Sequence, residues 1–360
     1  LMAQSANGQS GSPEYRIINL GTVFSEDDSV KAYGMNSHGQ IVGEVEVDTG
    51  SGSFKRAFVW LPQPDYGLAA GIHGLNAVTG GSDPSESVAR DINDDGQIVG
   101  WTGAPGNESA HYWELQSGTH DSIDFGTTAV NWSRAFGIND GLNGRPTTVA
   151  GDFQTPEVPP VCDCGNTADL GFVTILDSAN LDQQLTGFGS CSGPSTTDPG
   201  ASAKAISNDI DPSDDNTIVA AGGAIRCTLQ PGCTYSCGDG ISWAFGDNPG
   251  KNELLAADGI PGDENLFTEA FGVNDQANAV GRSYISLGFP SASRAVFWSD
   301  ATVSAVPVEL PVDPTSVPTT DYAAYDISEP IIGNGKLVVA GRNSSIEQAL
   351  AWERPTPQSG

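Results

Sequence analysis

An Ala, two residues, an aliphatic residue and then Asn or Ser recur six times along this chain, each time followed by a short turn and an aliphatic run that closes on Gly. The openings start at Ala32, Ala89, Ala135, Ala203, Ala270 and Ala324, and the closings end at Gly43, Gly100, Gly151, Gly222, Gly281 and Gly341. A repeat at a period of tens of residues means one supersecondary unit copied and stacked, because a single copy cannot bury its own apolar face. Residues that match between copies therefore serve packing first, and chemistry is to be sought where the copies differ.

A third element follows, a small residue with Trp three positions later: Ala57 to Trp60, Ala110 to Trp113, Gly240 to Trp243, Ala295 to Trp298 and Ala349 to Trp352. Copy three has Gly171, Phe172, Val173 and Thr174 in this slot. Five of the seven Trp residues hold this one position, which makes Trp a packing device here. The segments between anchors are short, rich in Val, Ile and Phe, and punctuated by Gly, Asn, Asp and Pro, which is the language of strands and turns. Roughly 40 to 50 residues make a four-stranded propeller blade, and the surplus in copies three and four is loop. Ala and Gly suit an innermost strand where units crowd together, and Asn suits a tight turn because it tolerates positive φ. Fourth strands are expected near His73 to Val78, Ser122 to Phe125 and Val306 to Leu310.

The expected fold is all-β: a six-bladed β-propeller of four-stranded antiparallel blades. The last copy stops at Trp352 and Pro355 without a fourth strand, whereas residues 15–20 (YRIINL) precede the first motif. An N-terminal strand that completes the last blade closes the ring and removes an open sheet edge. The expected organisation is a polar tail at 1–14, a propeller at 15–355 with disulfide-bearing insertions near 154–201 and 223–240, and a C-terminal tail at 356–360.

The alternation of A-x-G-I-N, G-Q-I-V-G and A-F-x-W resembles the HAF-repeat proteins, a group of extracellular bacterial repeat proteins. The resemblance covers about residues 15–355, is closest in copies one, two and five, and is weakest in the Trp element of copy three. It implies a propeller-like repeat and an extracellular address, and it brings no agreed activity.

Only 15 Lys and Arg stand against 45 Asp and Glu, a formal net charge of −30. Such a surface repels nucleic acid and anionic membranes and attracts cations. No apolar run approaches the roughly 18 residues of a membrane span, so neither nucleic acid nor membrane insertion is expected. Residues 1–6 (LMAQSA) read like the tail of a signal peptide, pointing to a secreted or cell-surface protein. The final Pro/Ser-containing stretch resembles a spacer before a surface-sorting signal.

Six Cys fall in two trios, Cys162, Cys164 and Cys191, then Cys227, Cys233 and Cys237. Their spacings are not those of a zinc site, and disulfides in an oxidising compartment are the expected state. If all six pair, parity demands at least one bridge between the trios, stapling the two insertions into one subdomain.

Copy two carries Asp91, Asn93 and Asp95 in D-x-N-x-D-G, alternating oxygens around a Gly-permitted turn as in calcium loops, though without a Glu at the twelfth position. Asp209, Asp211, Ser213 and Asp215 form a second alternation in copy four. Calcium is the cofactor expected at these two loops. Asn139–Asp140 and Asn274–Asp275 lack the alternation and read as ordinary turns. No G-x-S-x-G, H-E-x-x-H, Walker or sialidase-type box occurs, and no carboxylate pair stands out. His38, His73, His111 and His120 read as structural or solvated. Three N-x-S/T sequons, at Asn107, Asn131 and Asn343, read as chance.

These features lead to the expectation of a secreted or surface-displayed, non-enzymatic binding or structural module, its recognition surface on the insertions and its partner a glycan or surface polymer. Two alternatives stand beside it. One is a self-assembling filament or oligomer whose N-terminal segment docks on a neighbour. The other is a polysaccharide-degrading hydrolase or lyase, which a cluster of carboxylates with Arg or Tyr at a channel mouth would favour.

Overall fold

The computed structural model describes residues 29–48, 52–80, 86–125, 130–141, 146–154, 170–176, 183–185, 201–208, 218–227, 235–245, 250–254, 268–284, 293–302, 307–311, 322–327, 337–343 and 348–354. They are almost entirely strand, arranged as six antiparallel sheets in which chain order is also spatial order. Sheet one holds β1 (Ser29–Met35), β2 (Ile41–Asp48), β3 (Ser53–Leu61) and β4 (Gly71–Gly74), and is followed by the one-turn helix α1 (Leu75–Val78). Sheet two holds β5 (Ser87–Ile92), β6 (Gln97–Thr102), β7 (Ser109–Glu114) and β8 (Thr119–Ser122). Sheet three holds β9 (Trp132–Ile138), β10 (Thr148–Gln154), β11 (Leu170–Ile175) and β12 (Gln183–Leu185). Sheet four holds β13 (Ala201–Ile206), β14 (Ile218–Cys227), β15 (Tyr235–Phe245) and β16 (Gly250–Leu254). Sheet five holds β17 (Thr268–Val273), β18 (Ala279–Tyr284), β19 (Ser293–Trp298) and β20 (Val308–Glu309). Sheet six has three strands, β21 (Tyr322–Ile327), β22 (Leu337–Asn343) and β23 (Gln348–Arg354).

The Ala motif is the first strand of every sheet, the aliphatic-Gly run the second, and the Trp element the third. The fourth strands differ from expectation. Leu75–Val78 turns into α1, β8 lies upstream of 122–125, and β20 is only Val308–Glu309.

Every first strand carries a β-bulge at the same place. Pairing to the second strand skips one residue after the opening Ala, leaving Tyr33, Arg90, Phe136, Lys204, Phe271 and Tyr325 outside the ladder. The bulge also explains the closing Gly, which pairs with the opening Ala. A Cβ at Gly43, Gly100, Gly151, Gly222 or Gly281 would strike the carbonyl of Lys31, Val88, Arg134, Ser202 or Glu269. No side chain fits there.

Apolar cores lie at the seams between consecutive sheets, five seams for six sheets. Between sheets one and two, Val42, Val59 and Leu61 meet Ala89, Ile98 and Trp113. Between two and three, Val99, Ile123 and Phe125 meet Phe153 and Phe172, with Phe125 edge-on to Phe172 at 5.1 Å. The next seams centre on Trp243, on Trp298, and on Phe297 with Tyr322. Fully burying one such side chain contributes about 1.5–3 kcal/mol. Trp113 and Trp298 are wholly buried, in keeping with the packing role read for this slot.

The opening Ala is fully buried in sheets two to six, whereas Ala32 of sheet one is exposed. Met35 is 61% exposed, although its counterparts Ile92, Ile138, Ile206, Val273 and Ile327 are all buried. Among the described residues no core joins sheet six to sheet one. Residues 15–20, expected to close the ring, lie outside the described residues.

Candidate active site

The Asn of the repeat does two jobs at once. Its Oδ1 closes its own turn by accepting from the first amide of the next strand: Gln40 N to Asn36, Gln97 N to Asn93, Thr148 N to Asn139 and Asn278 N to Asn274. Its Nδ2 reaches across the seam and donates to the carbonyl of the same slot in the next sheet, Asn36 to Asn93 (3.0 Å), Asn93 to Asn139 (3.0 Å) and Asn139 to Ser207 (3.3 Å). Ser207 keeps the turn bond through Oγ to Val219 N, but has no amide to pass onward.

A second ladder runs beside the first. Ser37 N donates to Asp94, Asp94 N to Asp140, Asp140 N to Asn208 and Asn208 N to Asp275, at 2.6–2.9 Å. Asn139–Asp140 and Asn274–Asp275 were expected to be ordinary turns. That is corrected: Asp140 and Asp275 accept amide protons from the neighbouring sheet, and their turns are clasps between sheets.

The residue after each bulge comes next, and its column reads Gly34, Asp91, Gly137, Ala205, Gly272, Asp326. The slot is tight: a Cβ at Gly34 would press on Asp91 Cα, at Gly137 on Ala205 Cα, and at Gly272 on Asp326 Cα. Only sheets two and six carry a functional group here. Asp91 accepts from Ile92 N (2.9 Å) and, across the seam, from Ile138 N (3.0 Å). Burial nevertheless pushes its carboxyl up to about 7, with the negative charges of Asp326 and Asp140 adding to the rise and the two amides opposing it. Burial also pushes Asp326 up to about 6, opposed by the Ile327 amide at 2.8 Å. Asp326 keeps an exposed edge while protein surrounds it on most sides. Two carboxyls from sheets far apart in sequence thus sense each other, each holding its proton to unusually high pH.

The bulged residues next to this pair form a partial collar. Bulges re-aim side chains, and these six touch in two groups. The Arg90 guanidinium lies 4.2 Å from the Tyr33 ring and 5.5 Å from Phe136, Lys204 Nζ lies 3.8 Å from Phe136, and Phe271 meets Tyr325 at 5.1 Å. Second-strand residues back the collar. Glu44 is gripped by Lys31 (3.0 Å) and Lys55 (3.3 Å), which outweigh its burial and lower its carboxyl below the usual value. Asp152 accepts from Ser202 (2.7 Å) and Lys204 (3.3 Å). Burial, then Glu44, pushes the Tyr33 phenol up to about 12.

Of the residues expected to bind calcium, Asp91, Asn93 and Asp95 are described, and their side chains have different surroundings. Asp91 faces the next sheet's amide and Asn93 is spent on the clasp, whereas exposed Asp95 lines a separate cleft of about 410 Å³ with His38, Gln40, Asp65, Tyr66 and Asp94. Tyr66 stands there at φ 49°, its amide held by Asp65 Oδ1 (2.9 Å) and its hydroxyl 3.3 Å from Gln40. Among the described residues no group of three or more His, Cys, Asp or Glu is placed to hold a metal. Asp209, Asp211, Ser213, Asp215 and Cys162, Cys164, Cys191 and Cys233 lie outside the described residues. Cys227 and Cys237 fall on the paired strands β14 and β15.

His111 packs on Trp113 and lies 2.9 Å from His120, and burial pushes its imidazole down to about 4. It is a neutral core residue.

No protein-family model matches the chain, and no curated protein matches it in sequence. Among solved structures, it is similar to the α-L-arabinofuranosidase Arb93A from Fusarium graminearum, determined with an iminosugar inhibitor. That similarity has a TM-score of 0.37 at 10% identity, over 91% of this chain and 92% of the other. A likeness this slight carries no activity across. The expectation of a non-enzymatic binding or structural module is nonetheless corrected. It rested on there being no distinguishable carboxylate pair, and Asp91 and Asp326 stand out by their raised proton affinities. Sequence reading missed the pair because Asp91 was absorbed into a calcium pattern and Asp326 into a packing motif. Their column held the signal: Asp twice where the other copies have only Gly or Ala.

Proposed function

We propose that this chain is a secreted glycoside hydrolase built on a six-bladed β-propeller, with Asp91 and Asp326 as its catalytic carboxyls. The observation that carries the reading is that these two side chains share one slot of the first strands and have their proton affinities raised to different degrees. Carboxyls whose environments set their proton affinities apart are how one site keeps both an acid and a base near neutral pH. Asp91 holds its proton longer and protonates the departing glycosidic oxygen; Asp326 ionises first and supports the attack at the anomeric carbon. The collar of Tyr33, Arg90, Phe136 and Lys204 supplies ring faces and cations next to that pair. Carboxylates beside Arg and Tyr support the hydrolase alternative, for which such a cluster at a channel mouth was the distinguishing feature.

In this reading residues 15–20 complete the three-stranded sixth sheet and cover the exposed Met35 face of sheet one. The test of activity is release of reducing ends from a panel of neutral and acidic polysaccharides, by wild type and by Asp91→Asn and Asp326→Asn. Release that both substitutions abolish is the expected result. No release from any polymer by folded wild type, or release that survives both substitutions, overturns it. A chain lacking residues 1–22 tests the closure. Loss of folding is expected, whereas loss of oligomers alone would assign the strand to a neighbouring subunit.

A further inference from the structure

The wall running from sheet one to sheet four along the bulges departs from the rest of the molecule in charge and in hydrogen bonding. The chain carries −30 overall, yet Lys31, Lys55, Arg90, Arg134 and Lys204 meet here. Their carboxylate partners are three. Glu44 is held by Lys31 and Lys55, Glu108 by Arg134 at 2.6 Å, and Asp152 by Lys204. The salt bridges of the wall leave out Arg90. Asp91 stands beside it, holding its proton up to about neutral pH.

Polar groups in the wall are also left over. Among the described residues, five buried side-chain atoms have no hydrogen-bond partner, and three of them are Arg90 Nε, Arg134 Nε and Asp152 Oδ1. Such an atom costs about 1–3 kcal/mol when nothing meets it, and three of the five lie on this wall. Around them stand half-exposed ring faces. Arg90 lies 5.9 Å from Trp101, and Arg134 lies 5.6 Å from Trp101 and 4.7 Å from Trp132. Burial works against the Arg90 charge, which the neighbouring Tyr33, then Glu44, Asp91 and Asp152, support. A guanidinium placed this way gains most from a planar anion that offers two oxygens.

We infer that this wall binds a carboxylate-bearing sugar ring, a uronate unit of an acidic polysaccharide, with Arg90 pairing the carboxylate and the rings of Tyr33, Trp101 and Phe136 flanking the sugar. The cations attract the acid group, and the aromatic faces take the apolar side of the ring. This names the substrate class for the hydrolase proposed above and rests on that reading for turnover, though not for binding.

The test is calorimetric titration of the full chain, carrying Asp91→Asn and Asp326→Asn so that nothing is cleaved, with a galacturonate tetramer and with the same tetramer reduced at its carboxyls to neutral galactose. Binding of the acid form at least tenfold tighter than the neutral form, weakening as salt rises, is expected. Arg90→Gln on the same background removes that preference. Lys204→Met, a half-buried position that leaves Arg90 in place, weakens it severalfold and guards against a misfolded Arg90 variant. Equal affinity for the two tetramers, or no binding of either, overturns the inference. The hydrolase reading fails separately, if wild type binds the acid tetramer and cleaves no polymer. If wild type cleaves a neutral polymer and ignores the acid tetramer, the hydrolase stands and the uronate site falls.

Discussion

The two ends of each first strand are built from the same repeat and come to opposite outcomes. At the turn end the column holds Asn in four copies and Ser in two: Asn36, Asn93 and Asn139 each cap their own turn and clasp the next sheet, and Asp94, Asp140, Asn208 and Asp275 run a second ladder beside them. At the bulge end the same strand has a column that changes with every copy and is left partly open, with three buried polar atoms unmet. Regions that hold sheets together keep a narrow set of turn-capping residues, Asn or Ser in the first column. Regions free of that duty diverge, and there the chemistry can settle.

The largest test of this division is at the carboxyl pair. Asp91→Asn lowers kcat by about 10²–10⁴, the usual share of a general acid, while thermal unfolding of the variant stays cooperative. A fall in activity matched by loss of folding would place Asp91 with the clasps. The activity profile falls as pH rises through about 7, where Asp91 loses its proton, and falls again below about 6, where Asp326 gains one.

Linkage gives a companion measurement. Both folded-state values are raised, so the folded form holds protons that the unfolded chain has released. The stability these groups contribute is complete below about pH 4, the unfolded carboxyl range, and is lost as pH climbs through about 6 and 7. The midpoint of wild type therefore drops, relative to the double Asn variant, between pH 4 and pH 7.5. A constant difference across that range would contradict the raised values.

At the junction of the two regions, Gly100→Ala drives a methyl into the Val88 carbonyl and cannot keep the bulge. A loss of more than about 3 kcal/mol in urea unfolding is expected, from strain with no soft neighbour to yield. Smaller is the clasp itself. Asn93→Ala strands the Gln97 amide and gives up the bond to Asn139, costing about 2 kcal/mol. Smallest is a repair: Ser207→Asn supplies an amide at one of the two Ser positions of the column and raises stability by about 0.5–1 kcal/mol. No gain would mean that the seam between sheets four and five has no carbonyl in reach.

What could be read from the sequence follows from these duties. Ala, the aliphatic residue, closing Gly and Trp were legible because each recurs for one local reason, and the strand order came with them. The clasp was not legible, because the carbonyl that Asn93 reaches lies in Asn139, a whole repeat away. Asp91 was read as a turn ligand because linear spacing takes no account of a bulge, and in the fold its carboxyl accepts from the Ile138 amide of the next sheet. The collar was visible only as a column of Tyr33, Arg90, Phe136, Lys204, Phe271 and Tyr325 between constant neighbours, variation that passes for noise until the strands are set side by side.

The extra residue in each first strand makes six interchangeable sockets on a fixed chassis. A side chain there bears no ladder bond, so exchanging it leaves the scaffold's pairing as it was. Mutation can thus sample new ligands one socket at a time, and a library confined to those six codons should yield folded proteins of altered preference far more often than one spread over the turns.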